Sequence, residues 1–137
     1  MSEPRLYFMH RRFDHRPMGG VTLCFTLTED VDFPDDYLIC FAEARCSLED
    51  HFSKVIGRNI ARGRFRVGKT TSALVGGVSD YREARRKAVV LLEGLCAARL
   101  KDIQERWQHN FEAARRRFDR EYCAATLGRR ARRPQAP

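Results

Sequence analysis

Hydrophobic and polar positions alternate along the first third of the chain and then change period. Leu6 to Phe13 reads as one strand. Val21 to Glu29 reads as another, with Val21, Leu23, Phe25 and Leu27 on one face and Thr22, Cys24, Thr26 and Thr28 on the other. A period of two is that of a strand with one buried and one less apolar face. Arg16-Pro17-Met18-Gly19-Gly20 supplies the turn between them. Tyr37 to Cys46 is apolar and aromatic on both faces, which suits a central third strand. The short connections make an antiparallel sheet the simplest outcome. Leu48, Phe52, Val55, Ile56 and Ile60 then recur at helical spacing. They predict a helix from Leu48 to about Arg62 with those residues toward the core, Ser47 and Asp50 as its capping pair, and Gly63 at its end. Arg64 to Val67 alternates like a short strand. Gly68 to Ser79 reads as a loop, with a fourth strand through Ala73 to Val75.

The longest signal begins at Asp80. Val89, Leu92, Cys96, Leu100, Ile103, Trp107, Phe111, Ala114, Phe118, Tyr122 and Ala125 recur in steps of three and four, with no proline before Leu127. The repeat is eleven residues, about 3.67 per turn. Asp80 with Glu83 makes a capping-box start, and Gly128 a stop. A helix over 80–127 is about 70 Å long at 1.5 Å per residue. Around Val89 to Cys96 the run is apolar nearly all round, which predicts burial. Beyond Leu100 it narrows to a ridge of Trp107, Phe111, Phe118 and Tyr122, a surface expected to meet its own domain, a second copy or a partner. Gly94 is where a bend would fall, since glycine costs about 1 kcal/mol in a helix interior. The fold class is therefore α+β: a small antiparallel sheet of three to four strands, one short helix and one long C-terminal helix. It forms one domain over 1–128, followed by a basic, disordered tail over 129–137.

Composition adds charge to this picture. The 137 residues carry a net charge of +8, and 22 of the 26 basic residues are arginine, the side chain suited to bidentate phosphate or carboxylate contact. The charge is segregated. Residues 21–50 hold eight acids against Arg45 alone, whereas residues 51–79 hold Lys54, Arg58, Arg62, Arg64, Arg66 and Lys69 and no acid. Lys54, Arg58 and Arg62 share a side of a helix, and with Arg64, Arg66 and Lys69 they make a track for a nucleic acid or another polyanion. Helix-turn-helix, zinc-finger and RNA-recognition signatures are absent. No run of 18 apolar residues predicts a membrane span, and no signal-peptide stretch opens the chain. Five cysteines without a C-x-x-C pair (Cys24, Cys40, Cys46, Cys96, Cys123) fit free thiols in a cytoplasmic protein.

Three motifs bear on catalysis, and none is compelling. Gly63 to Thr70 matches G-x-x-x-x-G-K-[ST] in letters, but a phosphate loop needs a buried strand before it and a helix after it. Pro34-Asp35 with Glu43-Ala44-Arg45 is patterned like a metal-dependent nuclease, with two carboxylates and a cation. An i, i+2 ion pair on a strand face explains Glu43 and Arg45 equally well. Cys46 and His51 lack the partners that a metal site or a nucleophile needs. The expectation is a protein without catalytic residues, metal or cofactor.

The segment Phe52-Ser53-Lys54-x-x-Gly57-Arg58-x-Ile60-Ala61-x-Gly63-Arg64 is similar to one in small uncharacterised proteins of bacteriophages and mobile elements. There, too, it follows a strand ending in a cysteine and an acidic cap. The resemblance covers residues 37–65. It implies a viral or mobile-element origin and a host-takeover or anti-defence role, such as that of an anti-CRISPR, exerted by binding and blocking. Two functions follow. One is a non-enzymatic protein that contacts nucleic acid through Lys54, Arg58, Arg62, Arg64, Arg66 and Lys69. The other is an inhibitor that meets a host protein or ribonucleoprotein complex, or a second copy of itself, through Trp107, Phe111, Phe118 and Tyr122. A divergent nuclease using Asp35, Glu43 and Arg45 stands behind both.

Overall fold

The computed structural model describes the backbone of residues 4–132 and the side chains of residues 4–124. Its elements are β1 (Tyr7–Arg12), β2 (Met18–Glu29), β3 (Tyr37–His51), α1 (Lys54–Arg66), β4 (Thr71–Val75) and α2 (Tyr81–Arg132). The strands form one antiparallel sheet in the order β1-β2-β3-β4, the α+β arrangement expected from the sequence. The chain divides into two compact units, residues 1–103 and 104–137.

In the first unit the sheet carries a helix on each face. Cross-strand register places Met9, Leu23 and Glu43 in one row, and Tyr7, Phe25, Phe41 and Thr71 in another. The first part of α2 covers this face. Ala84, Ala88, Leu92, Cys96 and Ile103 are buried, Cys96 Sγ lies 3.8 Å from Met9 Sδ, and Arg99 Nε donates to Glu43 at 3.0 Å. Leu23, Ile39, Leu92 and Val21 are fully enclosed, each contributing about 1.5–3 kcal/mol by leaving water. The opposite face carries Phe8, Cys24 and Ala44, and α1 sets Ala61 and Phe65 on it. The α2 start is capped as expected: Glu83 N–H donates to Asp80 Oδ1 at 2.8 Å, and the Glu83 carboxylate accepts from Ser79 N–H and Oγ–H. Those two hydrogen bonds hold the Glu83 carboxyl below its ordinary pKa.

Several boundaries differ from the sequence reading, each for an identifiable reason. The helix expected from Leu48 begins at Lys54, because β2 starts early at Met18 and offers β3 a longer partner. Met18 pairs with His51, and Phe52 N–H donates to Pro17 O at 2.9 Å. Ser53, not Ser47, is the N-cap, accepting from Ile56 N–H at 3.3 Å. Ser47 and Asp50 instead bond each other at 3.1 Å within the bulged end of β3. Arg64 to Val67 is no strand. The helix runs to Arg66, and Gly68, at φ +82°, and not Gly63, takes the left-handed position after its end.

The face of α1 is also rotated from expectation. Val55, Ile56 and Ile60 are exposed, Ile56 at 60%, while Ala61 is buried. A Cβ on Gly57 would overlap Thr22 Oγ1, so this helix lies close on the sheet through small residues. On α2, Val90 and Leu91 are exposed, Val90 at 67%. The all-round burial expected there fails because only one face of that helix meets the sheet. Finally, α2 continues through Gly128 to Arg132. Residues 129–132 of the expected tail are thus helical, and 133–137 lie outside the described residues.

Candidate nucleic-acid interface

The site is built on β1, an edge strand with two successive aromatic residues. Alternation sends Tyr7 and Phe8 to opposite faces. Tyr7 stacks on Phe25 at 5.4 Å and bonds the Tyr81 hydroxyl at 2.6 Å. Phe8 packs beside the Cys24–Ala44–Ala61 cluster. Each ring holds two guanidinium groups. Arg5 and Arg85 lie 5.2 and 5.1 Å from the centre of Tyr7. Arg58 and Arg62 lie 5.2 and 5.3 Å from the centre of Phe8. A guanidinium over a ring is attracted by the ring's negative face. Its five N–H donors spread in its own plane and stay available to an anion. A carboxylate partner would use them up.

Ending α1 at Arg66 reorganises the basic track. Lys54, Arg58, Arg62 and Arg66 fall at i, i+4, i+8 and i+12, one continuous ridge about 18 Å long. Arg58 and Arg62 set the middle of this ridge over Phe8 of β1, and Lys54 lines the cavity at that strand's edge. Arg58 and Lys54 act on His10, and Arg62 and Arg66 on Cys24. Arg64 falls elsewhere, donating from Nη1 to the Glu43 carbonyl at 2.7 Å. Lys69 follows the helix end, where its N–H donates to Arg64 O. Among the described residues, no acidic side chain pairs with Lys54, Arg58, Arg62, Arg66 or Lys69. A cavity of about 340 Å³ at the strand edge is lined by Tyr7, Phe8, His10, Arg11, Lys54 and Arg85 among others.

His10 lies within this rim. Its Nδ1 is 2.9 Å from Thr22 Oγ1, and its Nε2 is buried without a hydrogen-bond partner among the described residues. Burial, then Arg58, Lys54 and Arg11, lowers its pKa below the ordinary value of 6.5. The ring is neutral at physiological pH and adds no charge to the rim.

Sequence reasoning missed Arg5 and Arg85. The available signal was the Tyr7-Phe8 pair in the first strand of a meander, which is an edge strand with an aromatic ring on each face. The other candidates separate. Asp35 sits in the β2–β3 loop, where its carbonyl accepts from Val78 N–H. Glu43 lies six residues into β3, roughly 20 Å further along at 3.3 Å per residue, and is engaged by Arg99 and Arg45. Cys46 Sγ donates to the Asp50 and His51 carbonyls. Gly63 to Thr70 forms a helix end, not a phosphate loop. Among the described residues, no group of three or more His, Cys, Asp or Glu side chains could hold a metal, and no helix is long and apolar enough to cross a membrane.

In the second unit, the ridge residues lie on α2. Trp107 stacks on Phe111 at 5.3 Å, and Phe118 on Tyr122 at 6.1 Å. Phe111, Phe118 and Tyr122 are exposed. No family model, curated protein or solved structure matches this chain.

Proposed function

We propose that this protein is a non-enzymatic nucleic-acid-binding protein that grips the phosphate backbone through the basic rim of β1. The observation that carries the reading is the set of four guanidinium groups held over Tyr7 and Phe8, none of them with a carboxylate partner among the described residues. Lys54 and Arg66 extend the set along α1. Ring-stacked arginines are pre-oriented, so less side-chain freedom is lost when a phosphate docks. A rim of cations lacking base-reading elements favours binding with little sequence preference. Five free thiols fit a reducing cytoplasm.

The test is binding to duplex and single-stranded DNA and RNA across a salt series. Six cations on phosphates give a log–log slope near −5 for duplex and near −4 for single strands. Arg58→Gln with Arg62→Gln removes two contacts and lowers the duplex slope by about 2. A wild-type affinity that does not move with salt would refute the reading. So would a double variant with an unchanged slope.

A further inference from the structure

We infer that the aromatic ridge of α2 is the seam of an antiparallel two-fold dimer. The inference rests on the ridge alone and stands whether or not the rim binds nucleic acid. Phe111, Phe118 and Tyr122 are 53%, 65% and 63% exposed, and no described residue of their own unit covers them. Isolated exposed apolar residues are ordinary, but an aligned series of rings is an interface signature. Fully enclosed aromatic side chains bury roughly 150–250 Å² each. The area still open on the four rings comes to roughly 800 Å² over two copies on that scale. The stems of Gln104, Gln108, Arg115 and Arg117 flank the ridge and take the total to about 1,200 Å², the lower bound for a specific interface.

The spacing selects a second copy and sets its direction. The stacked pair Trp107–Phe111 and the stacked pair Phe118–Tyr122 lie at equal distances from a point between Ala114 and Arg115. A two-fold axis through that point sets Trp107 opposite Tyr122 of the second copy and Phe111 opposite Phe118. The small Ala114 sits at the crossing, where the helices come closest. Isologous contacts of this kind close on themselves. Charge opposes the parallel alternative. Parallel helices in register would set Arg115-Arg116-Arg117 level with the same three residues along their whole length. The antiparallel arrangement sets Arg117 level with Glu112 of the second copy and Arg115 level with Ala114, so the two arginine runs do not overlap. Like charges side by side are destabilising, and opposite ones stabilising.

The experiment is sedimentation equilibrium on the full chain from about 1 to 100 μM, with far-UV circular dichroism on each variant. Wild type is expected to pass from monomer to dimer within that range. Phe111→Glu, and separately Tyr122→Glu, are expected to weaken association at least 100-fold with helix content retained. His109→Glu places the same residue on the opposite side of the helix and is expected to leave association unchanged. A spin label on the exposed Cys123 then reads direction. The antiparallel pair separates the two labels by roughly 26 Å along the helices, the rise of 17 residues, whereas a parallel pair sets them level. A wild-type chain that stays monomeric at 100 μM overturns the inference, even if it captures some other protein. So does a Phe111→Glu variant that still dimerises, or a pair of labels that lie level.

Discussion

Three helical glycines supply a sharp test of how α1 sits on the sheet. Gly63 and Gly94 have open space where a Cβ would go, whereas a Cβ at Gly57 would overlap Thr22 Oγ1 and stand 3.1 Å from Thr22 Cβ. Alanine at an unobstructed helix position gains about 0.5–1 kcal/mol over glycine, so Gly63→Ala and Gly94→Ala are expected to stabilise by that amount. Gly57→Ala has the same gain available. Against it stands overpacking, about 1–3 kcal/mol in a filled site, and disturbance of the 2.9 Å contact between Thr22 and His10, about 1 kcal/mol for a typical hydrogen bond. The net is a loss of about 1–3 kcal/mol. Urea unfolding followed by circular dichroism resolves this: at about 1–3 kcal/mol per molar urea, each kcal/mol moves the midpoint by roughly 0.3–1 M. Adding Thr22→Ala removes the overlapping oxygen, and the double variant is expected to recover at least 1 kcal/mol of coupling. A Gly57→Ala midpoint that rises alongside that of Gly63→Ala would refute the close approach of α1, and with it the placement of Arg58 and Arg62 over Phe8.

Other expectations concern the core, the rim and the thiols. Leu92→Ala, at a fully buried position, is expected to cost about 2–5 kcal/mol, while Val90→Ala two residues earlier stays within about 0.5 kcal/mol; equal losses in urea unfolding would contradict the one-sided packing of α2. His10 has a folded-state pKa below its unfolded value of 6.5, so the unfolded chain binds the proton first as pH falls. Its contribution is complete above pH 6.5 and is lost below it. A His10→Asn variant is expected to flatten the unfolding midpoint between pH 7.5 and 5, and an unchanged profile would contradict this. Burial raises the Cys96 thiol to about 11 and lifts Cys24 as well. In a thiol-reagent time course at pH 8, Cys123 should therefore react first and Cys24 and Cys96 only on unfolding; early reaction at Cys96 would be inconsistent with its place against Met9.

The sheet was legible because its strands alternate. Val21 to Leu27 against Thr22 to Thr28 fixes both the faces and, with short connections, the antiparallel order. The long helix was legible from its period and from Asp80 and Glu83. The placement of α1 was not. Leu48, Phe52, Ile56 and Ile60 match a helical spacing, yet the first belongs to β3, the second to the connection and the last two to the exposed side of α1. Periodicity cannot separate a strand end from a helix start when apolar residues happen to fall in step. The face that packs is marked by Gly57 and Ala61, small residues that carry no hydrophobic signal. The guanidinium groups of Arg58 and Arg62 lie over the Phe8 ring, a packing contact made by residues that read as polar. That error shifted the basic track as well. Once Arg66 is helical it joins Lys54, Arg58 and Arg62, and Arg64 leaves them. Arg5 and Arg85 come from distant parts of the chain, and only the fold brings them to one ring.

The bond from Arg64 to the Glu43 carbonyl has a consequence for solubility. β4 pairs with Tyr37 to Phe41, so the rest of the 15-residue strand has no partner strand on that side among the described residues. Open strand margins recruit other chains, and proteins that persist at high concentration blunt them with charge. Arg64 places a guanidinium where an incoming strand would need the Glu43 oxygen, and Arg45 adds a second positive charge two residues on. An arginine that reads as a binding residue thus occupies an acceptor that an added strand would need, and Arg64→Ala is expected to precipitate at a lower concentration than the wild type, which a solubility titration checks.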